Sequence, residues 1–282
     1  INDNTYLIDS FLNNESMTMA SFLLKGTKRK ALIDSSGPEN VSNIINKLQH
    51  LDLVPDILIL THAHWDHAGG TNTFQDKIKN LEVFAGKSAI ASLKDNKDYN
   101  RSFYPFFENL KSIEDIEVVK EGDEINLGEL NLKFYETPGH TECSISIFDE
   151  KNKNLIIGDT PGYLWTKEVI MPAIMPPEFS ESKLLTSIEK IKKIPFKNLS
   201  LAHFGFIKGN LALNFPDNAK KSYIQWRDFF ISKWKEDDNV SNMVKSFIAQ
   251  LNSIGIFDRG TKISHHMIGE WMLKGLKSDH II

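Results

Sequence analysis

The segment 61–70, which reads Thr-His-Ala-His-Trp-Asp-His-Ala-Gly-Gly, constrains this chain more than any other stretch, and it directly follows the apolar run 57–60. Three histidines and one aspartate fall within six positions, although the 282 residues contain only nine histidines. A solvated polar loop with unrelated histidines is the alternative, but this local density makes chance a poor explanation. Imidazole and carboxylate groups are the usual ligands of zinc-like ions. The segment therefore predicts a metal-binding loop at the end of a buried strand.

Composition limits the classes of protein to which the chain can belong. With 41% hydrophobic and 25% charged residues, it has the ordinary balance of a soluble globular protein. A formal net charge of -4 offers no electrostatic case for nucleic acid as a partner. No apolar run approaches the roughly 20 residues that span a membrane, and the first residues lack the pattern of a secretory signal. We therefore expect neither nucleic acid nor a membrane as a partner.

The single cysteine, Cys143, bears on the compartment. It has no partner for an internal disulfide, which is typical of a reducing environment and predicts a cytoplasmic protein. Cys143 also lies in a strand-like alternation over 143–148, so we interpret it as a packed structural thiol and not as a nucleophile.

Hydrophobic periodicity predicts strands and helices up to about residue 215. Apolar residues recur at helical spacing over 41–50 and 180–193, whereas 57–60 and 81–84 are typical of strands. Past Pro216 no strand-like run appears and helical stripes dominate. We therefore expect a catalytic domain over 1–215 and a helical C-terminal extension over 216–282 that packs on it.

Two irregular segments, 94–116 and 161–177, are rich in aromatic and apolar residues. The first is either a helical insertion with its own small core or a wall over the site, as long irregular insertions often are. The second contains too many prolines and glycines for a long helix. Together with the tryptophans of the tail they suggest a pocket for an acyl or otherwise apolar group. The alternative is that they pack the tail on the domain or form a homodimer interface.

Further ligand candidates lie far from the first cluster in sequence. His140, Asp159 and His203 each come just after an apolar strand-like run. Taken singly, each is a weak signal. Strand ends at one edge of a sheet converge in space, so these residues can join the cluster over 62–67. Together they supply five histidines and two aspartates, enough for two ions.

These residues, in this order, resemble the metallo-β-lactamase-fold superfamily over about residues 4–215. The resemblance implies an αββα sandwich, in which two mixed sheets pack face to face with helices outside and the site lies at their edge. It implies a first metal held by His62, His64 and His140, and a second held by Asp66, His67 and His203. Asp159 would bridge the two ions. Asp34, at the end of an early strand, matches the position of an acid that orients a ligand.

The chemistry of such a centre is hydrolytic. Two divalent ions about 3.5–4 Å apart can share a water and lower its pKa toward neutrality, so that the hydroxide attacks an electrophilic carbonyl or phosphoryl group. Asp66 is the candidate catalytic residue, because its carboxylate could orient that hydroxide or take its proton. The histidine-rich set suits two Zn²⁺, and iron or manganese can occupy the same ligands.

Departures from known branches narrow the substrate. The chain is most similar to the hydroxyacylglutathione hydrolase-like branch, whose members hydrolyse thioesters, lactones and related esters. Residues 160–163 read Thr-Pro-Gly-Tyr and lack the Gly-Cys-Gly-Arg run of glutathione-handling members. We expect a small substrate with an apolar or acyl part, and Tyr163, Trp165 and Phe103 as candidate contacts. The alternatives are a persulfide dioxygenase type with one iron, a phosphodiesterase, and a binding or regulatory member with little turnover.

Overall fold

A computed structural model describes residues 1–39, 41–166, 168–258 and 260–282. Its strands form two six-stranded sheets and one small hairpin. The first sheet has β1 Thr5–Asp9, β2 Ala20–Lys25, β3 Lys30–Ile33, β4 Ile57–Leu60, β5 Glu82–Gly86 and β6 Ile116–Val119. The second sheet begins with β7 Glu124–Asn126, β8 Asn131–Glu136, β9 Ile145–Asp149 and β10 Asn154–Ile157. The hairpin pairs β11 Tyr163–Leu164 with β12 Ile170–Met171, and the second sheet is completed by β13 Asn198–Leu201 and β14 Gly205–Lys208.

The helices lie between and after the strands. A short 3-10 helix spans Leu12–Asn14. The α-helices of the first two-thirds of the chain are α1 Val41–His50, α2 Trp65–Ala68, α3 Thr71–Lys77, α4 Ala89–Lys94, α5 Asn96–Tyr99 and α6 Glu181–Ile191. The tail contributes α7 Asn210–Glu236, α8 Val240–Ser253 and α9 His265–Ser278. Helix α1 ends at His50 as predicted, and its buried residues Val41, Ile44, Ile45 and Leu48 form the expected stripe.

Both sheets are mixed, as the αββα class requires. The first runs β1-β2-β3-β4-β5-β6, with β3 to β6 parallel and the β1, β2 and β3 pairs antiparallel. The second runs β14-β13-β10-β9-β8-β7, and only its β10–β13 pair is parallel. The predicted fold class is therefore confirmed.

Three apolar layers hold the sandwich together. Phe22 and Ile59 of the first sheet pack with Phe134 and Ile147 of the second, which fills the space between the sheets. A second layer packs the outer face of the first sheet on α1, α3 and α4, and a third packs the outer face of the second sheet on α6 and α7. Since side chains alternate along a strand, one strand can feed two of these layers.

Strand β4 shows this double burial most clearly. All four of its residues are buried: Ile57 and Ile59 face the second sheet, whereas Leu58 and Leu60 face the helices. A strand buried on both faces reads as a continuous apolar run, as the sequence here does. It therefore delivers the segment after Leu60 to the sheet edge on a rigid support.

The helical tail begins earlier than the expected boundary at 216. Helix α7 starts at Asn210 and continues through Pro216, so residue 216 lies within an element and not between two. Proline lacks the N–H of a helical hydrogen bond. Here Ala212, Phe215 and Ala219 are buried on the same side of α7, against the second sheet, and this packing holds the helix across the proline.

The tail packs closely on the rest of the chain. The Arg227 guanidinium of α7 pairs with Glu181 at 2.5 Å, and Asp279 accepts a hydrogen bond from the Glu181 backbone N–H. The Trp271 ring of α9 lies 5.1 Å from Phe103 of the 94–116 segment, edge to face. Among the described residues, no helix is both long and apolar enough to cross a membrane.

Candidate metal centre

The edge of the sandwich collects one polar segment from each of five strands. Asp34 follows β3 and Thr61 follows β4, and these two strands are parallel neighbours. Asp159 follows β10 and His203 follows β13, which are also parallel neighbours. His140 follows β8, which runs in the same direction as β10 because both are antiparallel to β9. All five segments therefore reach one edge of the two sheets.

The three histidines of the expected first site point one ring nitrogen at each other. His140 Nε2 lies 2.8 Å from His64 Nδ1 and 3.2 Å from His62 Nε2. Two nitrogens on one tetrahedral ion with bonds of 2.0–2.1 Å lie about 3.4 Å apart, so the 3.2 Å separation is close to that of a shared ion and the 2.8 Å separation is shorter. All three side chains are buried.

In each histidine, the outer ring nitrogen, which points away from the other histidines, determines whether the inner nitrogen carries a proton or a lone pair. His140 Nδ1 lies 2.8 Å from the Ala173 carbonyl and His64 Nε2 lies 3.1 Å from the Pro176 carbonyl. A carbonyl oxygen only accepts, so the proton of each neutral ring is on its outer nitrogen. The inner nitrogens of His140 and His64 are then both bare at 2.8 Å. Two facing lone pairs repel unless a cation lies between them, which is a direct indication of a metal site.

The second group lies beside the first. His203 Nε2 is 3.3 Å from Asp66 Oδ2, and His67 Nε2 is 4.0 Å from Asp66 Oδ1. The outer nitrogen of His203 lies 2.9 Å from the Thr18 carbonyl, so its inner nitrogen is also available. The ligand atoms of Asp66, His67 and His203 lie within 4.8 Å of one another.

Asp159 lies between the two groups. Its Oδ2 is 3.4 Å from His140 Nε2, and its Oδ1 is 3.2 Å from His67 Nε2 and 3.5 Å from His203 Nε2. Although His67 Nε2 and Asp159 Oδ1 lie 3.2 Å apart, neither buried atom makes a well-directed hydrogen bond to the other or to any other described residue. Unpartnered buried polar atoms are rare and an ion at the site would satisfy both. The donor set therefore fits two divalent cations with a carboxylate between them.

Burial sets the charge of the first group. It lowers the pKa of His62 and of His64 well below the usual value, and the neighbouring histidines lower both further. Burial also lowers the pKa of His140, although Asp159 opposes the shift. These three imidazoles are therefore neutral at pH 7, which is the form that binds a metal.

In the second group, the pKa values of the histidines are raised and not lowered. Burial opposes the charged form of His67 and of His203, yet the carboxylates around them raise the pKa of His67 well above its usual value and that of His203 to about 9. Burial likewise opposes the charge of Asp159, but the adjacent histidines hold its pKa well below the usual value. Protons thus take the place of cations here, and a metal must displace them.

Asp34 orients His67 from behind. Its Oδ2 lies 2.7 Å from His67 Nδ1, and its carboxylate also accepts from the Thr61 N–H at 2.7 Å and from the Thr61 hydroxyl at 2.8 Å. Only 1% of Asp34 is exposed. The carboxylate fixes the proton of a neutral His67 on Nδ1 and leaves Nε2 free, as the resemblance implied for this acid.

The 94–116 segment holds the metal loop in place. The buried Asn100 side chain accepts from the Trp65 N–H at 2.9 Å and donates to the Ala63 carbonyl at 3.1 Å. The Trp65 ring stacks on Phe106 with centroids 4.4 Å apart. Of the two interpretations of this segment, the wall beside the site describes it better, although Phe103 and Leu110 also join the core beneath the tail.

A cavity of about 250 Å³ opens over the two ligand groups. The three expected substrate contacts, Phe103, Tyr163 and Trp165, all line it. The Phe103 ring lies 4.8 Å from His64, and the Tyr163 ring lies 5.3 Å from His203. Burial raises the pKa of Tyr163, so its hydroxyl remains a hydrogen-bond donor. Apolar residues of the N-terminal segment and of α9, such as Leu12 and Trp271, complete the walls.

The remaining singled-out residues lie outside the ligand groups. Cys143 is buried, and burial raises the pKa of its thiol to about 11, as expected for a structural thiol. His266 and His280 are exposed, as expected for the tail. His265 differs, because it is buried at the start of α9 with its ring 5.3 Å from Trp165. Its helical position was foreseen, but packing between two distant segments leaves no local pattern.

Sequence reasoning missed the groups that orient the ligands. Three of them are the backbone carbonyls of Thr18, Ala173 and Pro176, and a carbonyl has the same identity in every residue. The fourth is Asn100, which lies among aromatic residues that drew attention away from it. Its role depends on the hydrogen bond from the Trp65 N–H, 35 residues earlier in the chain, and that contact can be seen only in the folded structure.

Known proteins share the sequence pattern of this chain. The sequence pattern of the metallo-beta-lactamase superfamily matches residues 3–203. Glyoxylase B2 of Dictyostelium discoideum is 24% identical over 199 residues, which cover 67% of this chain and 66% of that protein. Hydroxyacylglutathione hydrolase 1 of Vibrio vulnificus is 29% identical over 132 residues, covering 47% and 43%. The chain thus spans about half the length of the curated relatives it matches.

Solved structures share the fold at low identity. A metallo-beta-lactamase family protein of Thermus thermophilus superposes with a TM-score of 0.63 at 17% identity, over 97% of this chain and 92% of that one. An archaeal metallo-beta-lactamase superfamily protein of Sulfolobus tokodaii gives 0.62 at 18% identity, over 80% and 86%. The Thermus likeness extends over nearly the whole chain, whereas the sequence match of the superfamily ends at residue 203.

Proposed function

Because the chain belongs to the metallo-beta-lactamase superfamily, we propose that it is a metal-dependent hydrolase that uses two divalent ions to cleave an ester, thioester or lactone. The observation that carries the proposal is the pair of ligand groups joined by Asp159, whose carboxylate lies within 3.5 Å of His67, His140 and His203. A single ion would leave one of these groups without a role.

In this proposal His62, His64 and His140 hold one ion, while Asp66, His67 and His203 hold the other and Asp159 lies between them. When bound, the ions supply an activated water at neutral pH and polarise the carbonyl of the substrate. Zinc suits the histidine-rich set, and iron or manganese could replace it. The protein contributes the orientation of each ligand through the carbonyl and carboxylate partners described above.

Two side chains have roles beyond holding metal. The pKa of Asp66 is lowered because the adjacent histidines outweigh the effect of burial, so its carboxylate stays ionised and can accept a hydrogen bond from the attacking water. Tyr163 keeps its proton and lines the cavity beside His203, where it can donate to an oxygen of the substrate. Neither role requires a serine or cysteine nucleophile.

The relatives named for glutathione thioesters do not fix the substrate of this chain. Its Tyr163 begins the β11–β12 hairpin and, together with Trp165 and Phe103, gives the cavity an aromatic wall. An aromatic wall favours an apolar acyl group. We therefore place thioesters, esters and lactones with apolar acyl groups ahead of glutathione conjugates.

The test is a substrate panel with metal-replete protein. Acyl esters, acyl thioesters and acyl lactones should be hydrolysed faster than bis-p-nitrophenyl phosphate and faster than lactoylglutathione. Tyr163→Phe should lower kcat on the best substrate by about 100-fold, while metal content is unchanged. A protein that binds two ions but hydrolyses none of the carboxyl substrates would contradict the proposal and favour a binding or regulatory role.

A further inference from the structure

A second and larger concavity adjoins the metal cavity. We propose that this groove, which runs along α7, binds the long aliphatic chain of the substrate whose carbonyl is cleaved at the metal centre. The inference rests on the proposed function and adds the chain class and its binding site. Its volume is about 1260 Å³, five times that of the metal cavity.

The first support for the proposal comes from the volumes of the two cavities. Sites for small ligands usually enclose about 300–1,000 Å³. At the roughly 30 Å³ that a water occupies in the liquid, the metal cavity of about 250 Å³ holds about eight heavy atoms, fewer than an ester with a long acyl chain contains. A substrate with an extended apolar part therefore has to continue outside that cavity.

Three residues mark where the apolar part of the substrate would leave the metal cavity. Met17, Leu164 and Phe204 line both the metal cavity and the groove, so they form the rim that the two share. All three are apolar, and Met17 is 69% exposed, with a flexible side chain that can yield to a passing chain. In the proposal, the acyl chain passes these three shared residues on its way from the metal cavity into the groove.

The groove wall along α7 is a helical stripe. It begins at Leu211 and passes Phe215, Ser222 and Trp226 to Phe229. At 1.5 Å per residue, residues 211 to 229 span about 27 Å of helix, which is long enough for an extended acyl chain. Residues of the β11–β12 hairpin and of β14, and Ile254 after α8, also line the groove.

The exposure of large apolar side chains along the groove is a second, independent observation in support of the proposal. Leu211 is 69% exposed and Ile254 is 43% exposed, and both line the groove. Exposed apolar surface of this kind marks a binding groove or an interface. The groove also has charged lining residues, Glu168 and Lys221, whereas Phe206, Ile207 and Phe215 add to its apolar lining. Continuity with the metal cavity selects the substrate chain as the occupant.

The experiment fills the groove without touching the metal cavity. Gln225 is exposed and lines the groove but not the metal cavity, so Gln225→Trp adds bulk only there. Ser232→Trp is the matched control, because Ser232 is exposed on the same helix and lines neither cavity. Neither position bears on the ligand groups.

The first measurement compares kcat/KM for p-nitrophenyl decanoate and butanoate. Each methylene that is fully buried raises the constant by up to about fourfold, so wild-type protein should strongly favour decanoate. Gln225→Trp should lower the decanoate constant at least tenfold while the butanoate constant changes less than twofold, and Ser232→Trp should change neither. Equal chain-length profiles in wild type and Gln225→Trp would overturn the inference.

The second measurement separates chain binding from catalysis. Metal-free protein is titrated with 11-(dansylamino)undecanoic acid, and energy transfer from tryptophan reports binding. Weaker binding to Gln225→Trp but not to Ser232→Trp supports the groove even if no ester is hydrolysed, in which case only the proposed function falls. If Gln225→Trp instead shifts a monomer–dimer equilibrium in sedimentation and leaves probe binding unchanged, the groove is an interface between two copies and the inference is wrong.

Discussion

Replacing Asp34 by asparagine tests how the fold prepares the second ligand group. Asparagine has nearly the same shape, and like aspartate it tolerates the left-handed backbone at this position, where φ is 62°. Asp34→Asn therefore removes the charge and one acceptor without rebuilding the turn. The amide can still accept from the Thr61 N–H through its oxygen, but its NH2 group then faces His67 Nδ1 at the position of Oδ2.

This contact changes which nitrogen of His67 carries the proton. To accept from the amide, Nδ1 must lose its proton, and in the neutral ring the proton moves to Nε2, the atom beside Asp159. A protonated Nε2 cannot bind a metal. Loss of such an orienting partner typically weakens metal affinity 10- to 100-fold, or about 1.4–2.8 kcal/mol. The loss should be confined to the site that contains His67.

The assay is competition for Zn²⁺ between the protein and a chromophoric chelator. In Asp34→Asn we expect one dissociation constant to rise 10- to 100-fold while the other stays within threefold of wild type. Asp76→Asn is the control, because Asp76 is exposed on α3 and belongs to neither ligand group. Equal weakening of both sites would refute this reasoning, and so would unchanged affinity at both in a folded protein.

Three further predictions follow from burial and charge. Because carboxylates raise the pKa of His203 to about 9 and that of His67 well above 6.5, Zn²⁺ binding at pH 7 should release about two protons, measured by calorimetry in buffers of different ionisation enthalpy. In metal-free protein, the ion pairs between these histidines and the carboxylates should contribute their full stabilisation below pH 6.5, and this stabilisation should be lost as the pH rises through about 9. Asn100→Ala leaves the Trp65 N–H and Ala63 carbonyl without their partner and should lower the free energy of unfolding in urea by about 1–3 kcal/mol. An unchanged urea midpoint would show that Asn100 does not hold the metal loop in place. Cys143, with its pKa raised to about 11, should resist iodoacetamide at pH 8 until the chain unfolds, and rapid alkylation of native protein would show that it is not buried.

The convergence of the candidate ligands at one edge could be predicted from the sequence because four of them lie shortly after an apolar strand. His62, His140, Asp159 and His203 follow runs whose period or uniform burial identifies them as strands, and parallel ends share an edge. The αββα class followed from the resemblance that these residues carry. Local chemistry and global topology coincide at these positions, so short patterns were sufficient.

Other features depend on contacts that no local pattern records. Helix α7 continues through Pro216 because tertiary packing outweighs the lost hydrogen bond, and its start at Asn210 could not be read from the shift in composition after residue 216. The Ala173 and Pro176 carbonyls that orient His140 and His64 lie in a segment whose sequence indicated only that it was not a long helix. The groove along α7 exists only where the tail meets the β11–β12 hairpin. These are relations between distant segments.

The central claim is that this chain holds two metal ions and hydrolyses a carboxyl substrate with them. The most direct measurement is elemental analysis of protein purified without added metal, repeated after Zn²⁺ titration, with hydrolysis and oxygen uptake followed on the same samples. Two ions per chain, with hydrolysis rising as the second binds and with loss of metal and activity in Asp159→Ala, is the predicted result. One iron per chain with oxygen consumption and no hydrolysis would contradict it.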